Sequence, residues 1–180
     1  MKLRARREED KSERTAAILR AAAEIWSKSS WSDFTMTEVA RRAGLVKGTL
    51  YLYFPTKEHL LQEVFERMID DYLGAVDRAL VKRRGRLTAV HVAAACSDNL
   101  RGRDSLLRLL RVFGLSERAR ERLRSTAMVI EERMPVRRRG ESLRFMLRAI
   151  ALFAGLSTLN DLRDAADAVA LLASGMEKRR

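Results

Sequence analysis

The run TMTEVARRAGLVKGTLYLYFPTKEHLL, residues 35–61, leaves this chain few folds to choose from. Val39, Ala40 and Ala43 recur at helical spacing and give a short helix a small-residue inner face. Gly44 follows directly, and a residue without a Cβ takes the positive φ that ends a helix in a sharp turn. Leu45 packs the turn. A second helix begins at Lys47-Gly48-Thr49-Leu50-Tyr51, with Leu50 and Phe54 facing inward and Lys47, Thr49, Tyr51 and Tyr53 outward. Two short helices joined in this way make a helix-turn-helix, whose second helix enters a DNA major groove by its N-terminal residues.

The rest of the chain reads as helix. Hydrophobic residues make up 47% of the 180, enough for a core, while nine glycines and two prolines interrupt it rarely. No alternating β-branched run is present, so the fold class is all-α, with about nine helices. The first dozen residues are charged and read as a frayed tail. Helix 1 is expected from about Glu13 to Lys28, on the spacing of Ile18, Leu19, Ala22, Ile25 and Trp26. Thr35 is a good N-cap for the next helix, with Glu38 three residues on as capping-box partner. A long helix is expected over 57–82 on the face of Leu60, Leu61, Val64, Phe65, Met68, Ile69, Tyr72, Leu73 and Val76. Further helices are expected at about 87–100, 104–113, 116–133, 140–158 and 164–176, punctuated by Gly102, Gly114 and Pro135. The organisation is a tail (1–13), a DNA-binding head (14–58, motif 35–54) and a helical ligand-binding and dimerisation domain (59–180).

Net charge is +12, which suggests a polyanionic partner. The charge is not concentrated in the head, however. Residues 1–57 hold 12 Lys/Arg against 7 Asp/Glu, and residues 58–180 hold 24 against 17. The motif, not the charge, therefore carries the DNA reading. Cys96 is the only cysteine, so an intrachain disulfide and a thiolate metal cluster are excluded. The charged start lacks the apolar core of a secretory signal, and no run long enough to span a membrane occurs. A cytoplasmic, nucleoid-associated protein is expected.

Thr15, Ile18, Ala21, Ala22, Ile25 and Trp26, then Thr35, Met36, Val39, Ala40, Ala43, Gly44 and Leu45, then Lys47 to Tyr51, Tyr53, Phe54, Lys57, Glu58 and Leu60 together resemble the TetR family of bacterial transcriptional regulators. The resemblance is close from Thr15 to Leu61 and beyond about residue 75 is one of architecture only. Three positions depart from the family pattern. Ser30 stands before Trp31 where glycine is usual, Val46 stands at the recognition-helix cap where Ser or Thr is frequent, and Leu52 fills a position often aromatic or polar. The last two alter groups near DNA.

The resemblance implies that Thr35 and Thr37 contact phosphate at the start of helix 2 and that Lys57 contacts it at the start of the long helix. Lys47 fronts the recognition helix and is the leading candidate for a base or phosphate contact. Gly48 lets the backbone approach a phosphate strand, Thr49 can touch a base edge, and Tyr51 and Tyr53 can donate hydroxyls to phosphates. Arg41 and Arg42 are weaker candidates. Leu50, Phe54, Val39, Ala40, Ala43, Trp26 and Phe34 are core.

The resemblance also implies an effector pocket and a dimer. Pocket candidates are Phe65, Met68, Ile69, Tyr72, Leu106, Leu110, Phe113, Met128 and Phe145, with His91 or Asn99 as polar anchors. Each, taken singly, reads better as plain core. The effector expected is small and apolar or amphipathic, and the basic domain leaves room for an anion such as an acyl-coenzyme A. Leu143, Met146, Leu147, Ile150, Phe153, Ala154 and Leu156 form one stripe, and Val169, Leu172 and Met176 another, suited to a four-helix bundle between two copies. A homodimer reading a palindromic operator is expected, because one recognition helix reads few base pairs. The histidines, His59 and His91, are far apart, and no catalytic or phosphate-binding signature occurs, so no enzymatic activity, cofactor or metal is expected. Cys96 reads as a small buried side chain. The resulting expectation is a repressor released by an effector; the alternative is a helical DNA-binding architectural or recruitment factor without one.

Overall fold

The computed structural model describes the backbone of residues 2–100 and 102–133, and their side chains except at residues 2–8 and 89. The described residues form seven α-helices and no strand: α1 (Lys2–Lys28), α2 (Met36–Arg42), α3 (Lys47–Tyr53), α4 (Lys57–Val81), α5 (Ala89–Leu100), α6 (Asp104–Phe113) and α7 (Glu117–Arg133). The chain divides into two compact units between Phe65 and Glu66, inside α4 and further along than residue 58. None of the described helices is long and apolar enough to cross a membrane. The helices expected over 140–158 and 164–176, and with them Phe145, Leu143, Leu147, Ile150, Phe153, Ala154, Val169, Leu172 and Met176, lie outside the described residues.

The first helix corrects the sequence reading. It begins at Lys2, not near Glu13. The added stretch has no glycine or proline and is rich in Arg, Lys and Glu, all strong helix formers. Charge alone does not stop a helix.

In the first unit, α1 turns Ile18, Leu19, Ala22 and Trp26 inward, all at most 3% exposed. Trp26 meets Phe34 edge-on, with ring centres 6.2 Å apart, and Trp31 likewise at 6.3 Å. Met36, Val39, Ala40, Leu50, Phe54, Leu60 and Leu61 complete this core. Burying each large side chain stabilises the unit by about 1.5–3 kcal/mol.

The α1–α2 turn is tied by Ser30 and Asp33. The Ser30 hydroxyl donates to Asp33 Oδ2 at 2.5 Å, and the Asp33 amide donates back to Ser30 Oγ at 3.3 Å. That hydroxyl holds the Asp33 carboxyl below its ordinary range. Positive φ among the described residues occurs only at glycines, so Ser30 sits in ordinary backbone where the family pattern has glycine.

In the second unit, α4 and α7 are pinned by ions. Arg122 donates to Asp77 at 2.9 Å and to Thr126 Oγ1 at 3.1 Å, and Arg118 donates to Asp70 at 3.1 Å. Arg133 closes the far end. Its guanidinium donates to the carbonyl oxygens of Leu80 (2.9 Å), Gly85 (3.1 Å) and Arg83, and its own carbonyl accepts from the Leu87 amide at 2.8 Å. The Leu80 carbonyl, in the last turn of α4, also accepts from the Arg83 amide at 3.2 Å, while those of Arg83 and Gly85 follow the helix end. Leu73, Val76, Leu87, Val92, Leu109, Leu123 and Ile130 are buried in this unit.

Candidate nucleic-acid interface

The motif begins with a cap. Thr35 is extended (φ −124°, ψ 143°) and its hydroxyl oxygen accepts from the Glu38 amide at 3.3 Å. The expected capping box is only half made, since the Glu38 carboxylate takes a bidentate pair with Arg41 instead, at 2.5 and 2.8 Å. The Arg41 bond holds the Glu38 carboxyl below its ordinary value and Arg41 above its own. Arg42 is likewise engaged, donating to Glu24 of α1 at 2.6 Å. Both arginines are therefore ion-paired.

The turn between α2 and α3 is a Schellman motif. Gly44 has φ +70°, its amide bonds the Arg41 carbonyl at 3.3 Å, and the Leu45 amide bonds the Ala40 carbonyl at 2.9 Å. A side chain at Gly44 would meet no neighbour, so the backbone angle and not space calls for glycine. The turn fixes where α3 starts. Leu50, fully buried, and Phe54, 4% exposed, fix which face of α3 turns inward.

The opposite face is open. Lys47 and Gly48 are exposed, Tyr51 is 40% exposed, and Thr49 and Tyr53 are half-buried. The Lys47 ammonium lies 5.9 Å from the Tyr51 ring centre, so the two form one strip. A Cβ at Gly48 would meet nothing within 4 Å. Thr35 and Thr37 are exposed at the head of α2. Val46 caps α3 with no side-chain bond and is 73% exposed.

Lys57 has an attachment that sequence reasoning missed. It is half-buried, its ammonium donates to the Trp31 carbonyl oxygen and lies 4.6 Å from the Trp31 ring centre. Thr56, not singled out from sequence, caps α4 by accepting from the His59 amide at 3.1 Å. The sequence signal for that cap was available: a threonine after Pro55, directly before an apolar periodic run.

The pocket candidates fall in different settings. Phe65, Ile69, Tyr72, Leu106 and Leu110 are buried, and Met68 and Phe113 half-buried. Met128 is 66% exposed, which corrects its reading as an interior lining residue: Ala127 and Ile130 take the inward positions of that turn. His91 is bound up in capping α5. Its Nδ1 accepts from the Thr88 amide at 3.2 Å, and its amide donates to Thr88 Oγ1 at 3.3 Å. Asn99 donates to the Ala95 carbonyl at 2.8 Å. The Tyr72 hydroxyl donates to the Cys96 carbonyl at 3.2 Å.

Comparison with known proteins agrees with this geometry. The family model described as "Bacterial regulatory proteins, tetR family" matches residues 18–64. The repressor KstR of Mycolicibacterium smegmatis is 42% identical over 67 residues, which are 37% of this chain and 33% of that protein. The fatty acid metabolism regulator protein of Bacillus subtilis is 26% identical over 66 residues, 37% of this chain and 34% of that one. The chain thus spans about a third of the length of the curated relatives it matches. Over the whole fold, the TetR family repressor AlkX of Dietzia sp. superposes with a TM-score of 0.66 at 20% identity, covering 91% of this chain and 95% of that one. RolR without ligand superposes at 0.64 and 19% identity, covering 88% and 89%. Residues 18–64, the head with its Schellman turn and outward Lys47–Tyr51 strip, thus match the model of bacterial regulatory proteins of the tetR family, and the chain shares the fold of these solved neighbours.

Proposed function

We propose that this chain is a sequence-specific DNA-binding transcriptional repressor. A homodimer would set two copies of α3 in successive major grooves of a palindromic operator in bacterial cytoplasm. The observation that carries the reading is the face of α3. Lys47, Thr49 and Tyr51 stand outward on a helix whose start is fixed by Gly44 and whose inner side is locked by Leu50 and Phe54. Lys47 meets a phosphate or a base edge, and Thr49 addresses a base edge. Thr35, Thr37, Tyr51, Tyr53 and Lys57 supply donors for phosphate, and Gly48 leaves room for the strand.

Release by a small apolar or amphipathic effector, an anionic one included, completes the proposal. Relatives support the apolar character: one is named a fatty acid metabolism regulator, and one solved neighbour is implicated in biodegradation of n-alkanes. DNA and effector would favour different states of the dimer, so each weakens the other reciprocally.

The test is selection from a random duplex pool by the full chain at about 150 mM salt, where non-specific phosphate binding is weak. Enrichment of an inverted repeat is expected. Binding at low salt alone, without enrichment, would reject sequence-specific regulation. Thermal stabilisation by a panel of fatty acids and acyl-coenzyme A esters then separates an effector-released repressor from an architectural factor that has no effector.

A further inference from the structure

Leu52 is the most exposed large apolar side chain of the described residues, at 84%, and it stands on the helix assigned to the DNA. It lies four residues beyond Gly48, so the two share one face of α3, a turn apart. That face is therefore bare backbone followed by one isobutyl group. The strip beside it holds Lys47 and Tyr51. From Ala43 to Lys57 the sequence carries two lysines and no carboxylate. A surface with two lysines and no carboxylate is complementary to a polyanion such as the duplex of the regulator reading. The major-groove edges of base pairs are polar donors and acceptors with one apolar exception, the C5-methyl of thymine.

We propose that Leu52 is a specificity-determining residue that reads thymine methyl groups in each half of the operator. The proposal rests on the regulator reading above and adds what the site selects. Leucine has no hydrogen-bonding atom beyond the backbone, so its discrimination comes from burying the methyl against the isobutyl group. Gly48, one turn earlier, keeps that approach free of a second side chain. Replacing thymine by cytosine would set an amino group against the leucine and leave its donor unpaired, which penalises the wrong base as well as rewarding the right one.

The test uses the duplex selected by the full chain, with each thymine in turn replaced by uracil, which removes the methyl and nothing else. At one or more thymines per half-site the parent protein is expected to lose about fourfold in affinity per methyl, the worth of one buried methyl group. Leu52→Ala should bind the thymine duplex more weakly and no longer distinguish it from the uracil one. Leu52 is so exposed that this variant should melt where the parent does, and a melting curve checks that. Uracil substitution without effect on the parent would overturn the proposal, as would an equal uracil penalty in Leu52→Ala. Failure to enrich any sequence would instead remove the regulator reading, and this proposal with it.

Discussion

The ammonium of Lys57 donates to the carbonyl oxygen of Trp31 and lies over its indole ring, 4.6 Å from the centre, so the first residue of α4 is tied to the turn between α1 and α2. Lys47, by contrast, stands exposed on α3, 5.9 Å from the Tyr51 ring centre. The two lysines should therefore separate in stability although both are assigned to DNA. Lys57→Ala is expected to lower the unfolding free energy by about 1 kcal/mol, the worth of a partly desolvated cation–π contact with its hydrogen bond. Lys47→Ala should stay within about 0.5 kcal/mol of the parent. Urea unfolding of the two variants checks this, and equal midpoints would show that the Trp31 contact contributes nothing.

The exposed strip gives a second expectation. Lys47→Ala and Tyr51→Ala should each abolish operator binding at physiological salt with the fold intact. For Lys47→Ala, residual binding should depend less steeply on salt, by about one unit of slope per subunit if the ammonium meets a phosphate. An unchanged slope with lost affinity would move Lys47 from phosphate to a base edge. Retained affinity in both variants would remove the strip from the interface.

Val46 offers a gain rather than a loss. Its backbone already has N-cap angles (φ −76°, ψ 148°), it is 73% exposed, and its side chain makes no capping bond. Serine there should accept from the amide of Gly48, since the Thr49 amide already donates to the Val46 carbonyl at 3.0 Å. Val46→Ser is expected to stabilise the protein by about 0.5–1 kcal/mol, read as a higher melting temperature. No gain would mean that the open first turn is already satisfied by water.

What the sequence disclosed, and what it hid, follows from the range of the forces involved. Gly44, the Thr35 cap, and the inward turn of Leu50 and Phe54 were legible because each depends on neighbours within a few residues. The bounds of α5, α6 and α7 followed for the same reason, from Gly102, Gly114 and apolar spacing. The partners of long charged side chains were not legible. Lys57 finds Trp31 across 26 residues, Arg42 finds Glu24 across 18, and Arg133 finds Leu80 across 53. Met128 was misjudged because residue type suggested a lining while the helix register left it exposed, and the capping role of His91 was not foreseen.

Arg133 is expected to matter more than an exposed arginine would. Its guanidinium serves the carbonyl oxygens of Leu80, Arg83 and Gly85, where α4 ends, and it does so from the last residue of α7. Arg133→Met keeps much of the stem and removes the donors. A loss of about 2 kcal/mol is expected, within the range for hydrogen bonds from a charged donor. Arg124→Met is the control, since among the described residues Arg124 pairs along its own helix, with Glu117 and Glu121. It should cost under about 0.5 kcal/mol. If the two variants unfold at the same denaturant concentration, the Arg133 bonds are too well replaced by water to stabilise the end of α4.

Cys96 should be silent as a thiol and visible in the pH dependence of stability. It is 2% exposed, and burial pushes its thiol up to about 11 from an ordinary value near 9. In native protein at pH 8 iodoacetamide should therefore react only as fast as the chain opens. The sign of the stability effect follows from proton binding. Between pH 9 and 11 the unfolded chain has released the thiol proton and the folded chain retains it, so unfolding releases a proton and stability falls as pH rises. The stabilisation is complete below pH 9 and is lost by about pH 11, a change of roughly 2–3 kcal/mol at about 1.4 kcal/mol per unit. Burial also pushes the Tyr72 hydroxyl, which donates to the Cys96 carbonyl, well above its usual range, and that adds to the decline from pH 10 upward. Cys96→Ala should therefore keep the tyrosine's share and lose the thiol's, giving a shallower fall between pH 9 and 10 than the parent. Identical slopes in that first unit, or rapid alkylation of the native protein, would show that the thiol reaches water more readily than its burial indicates.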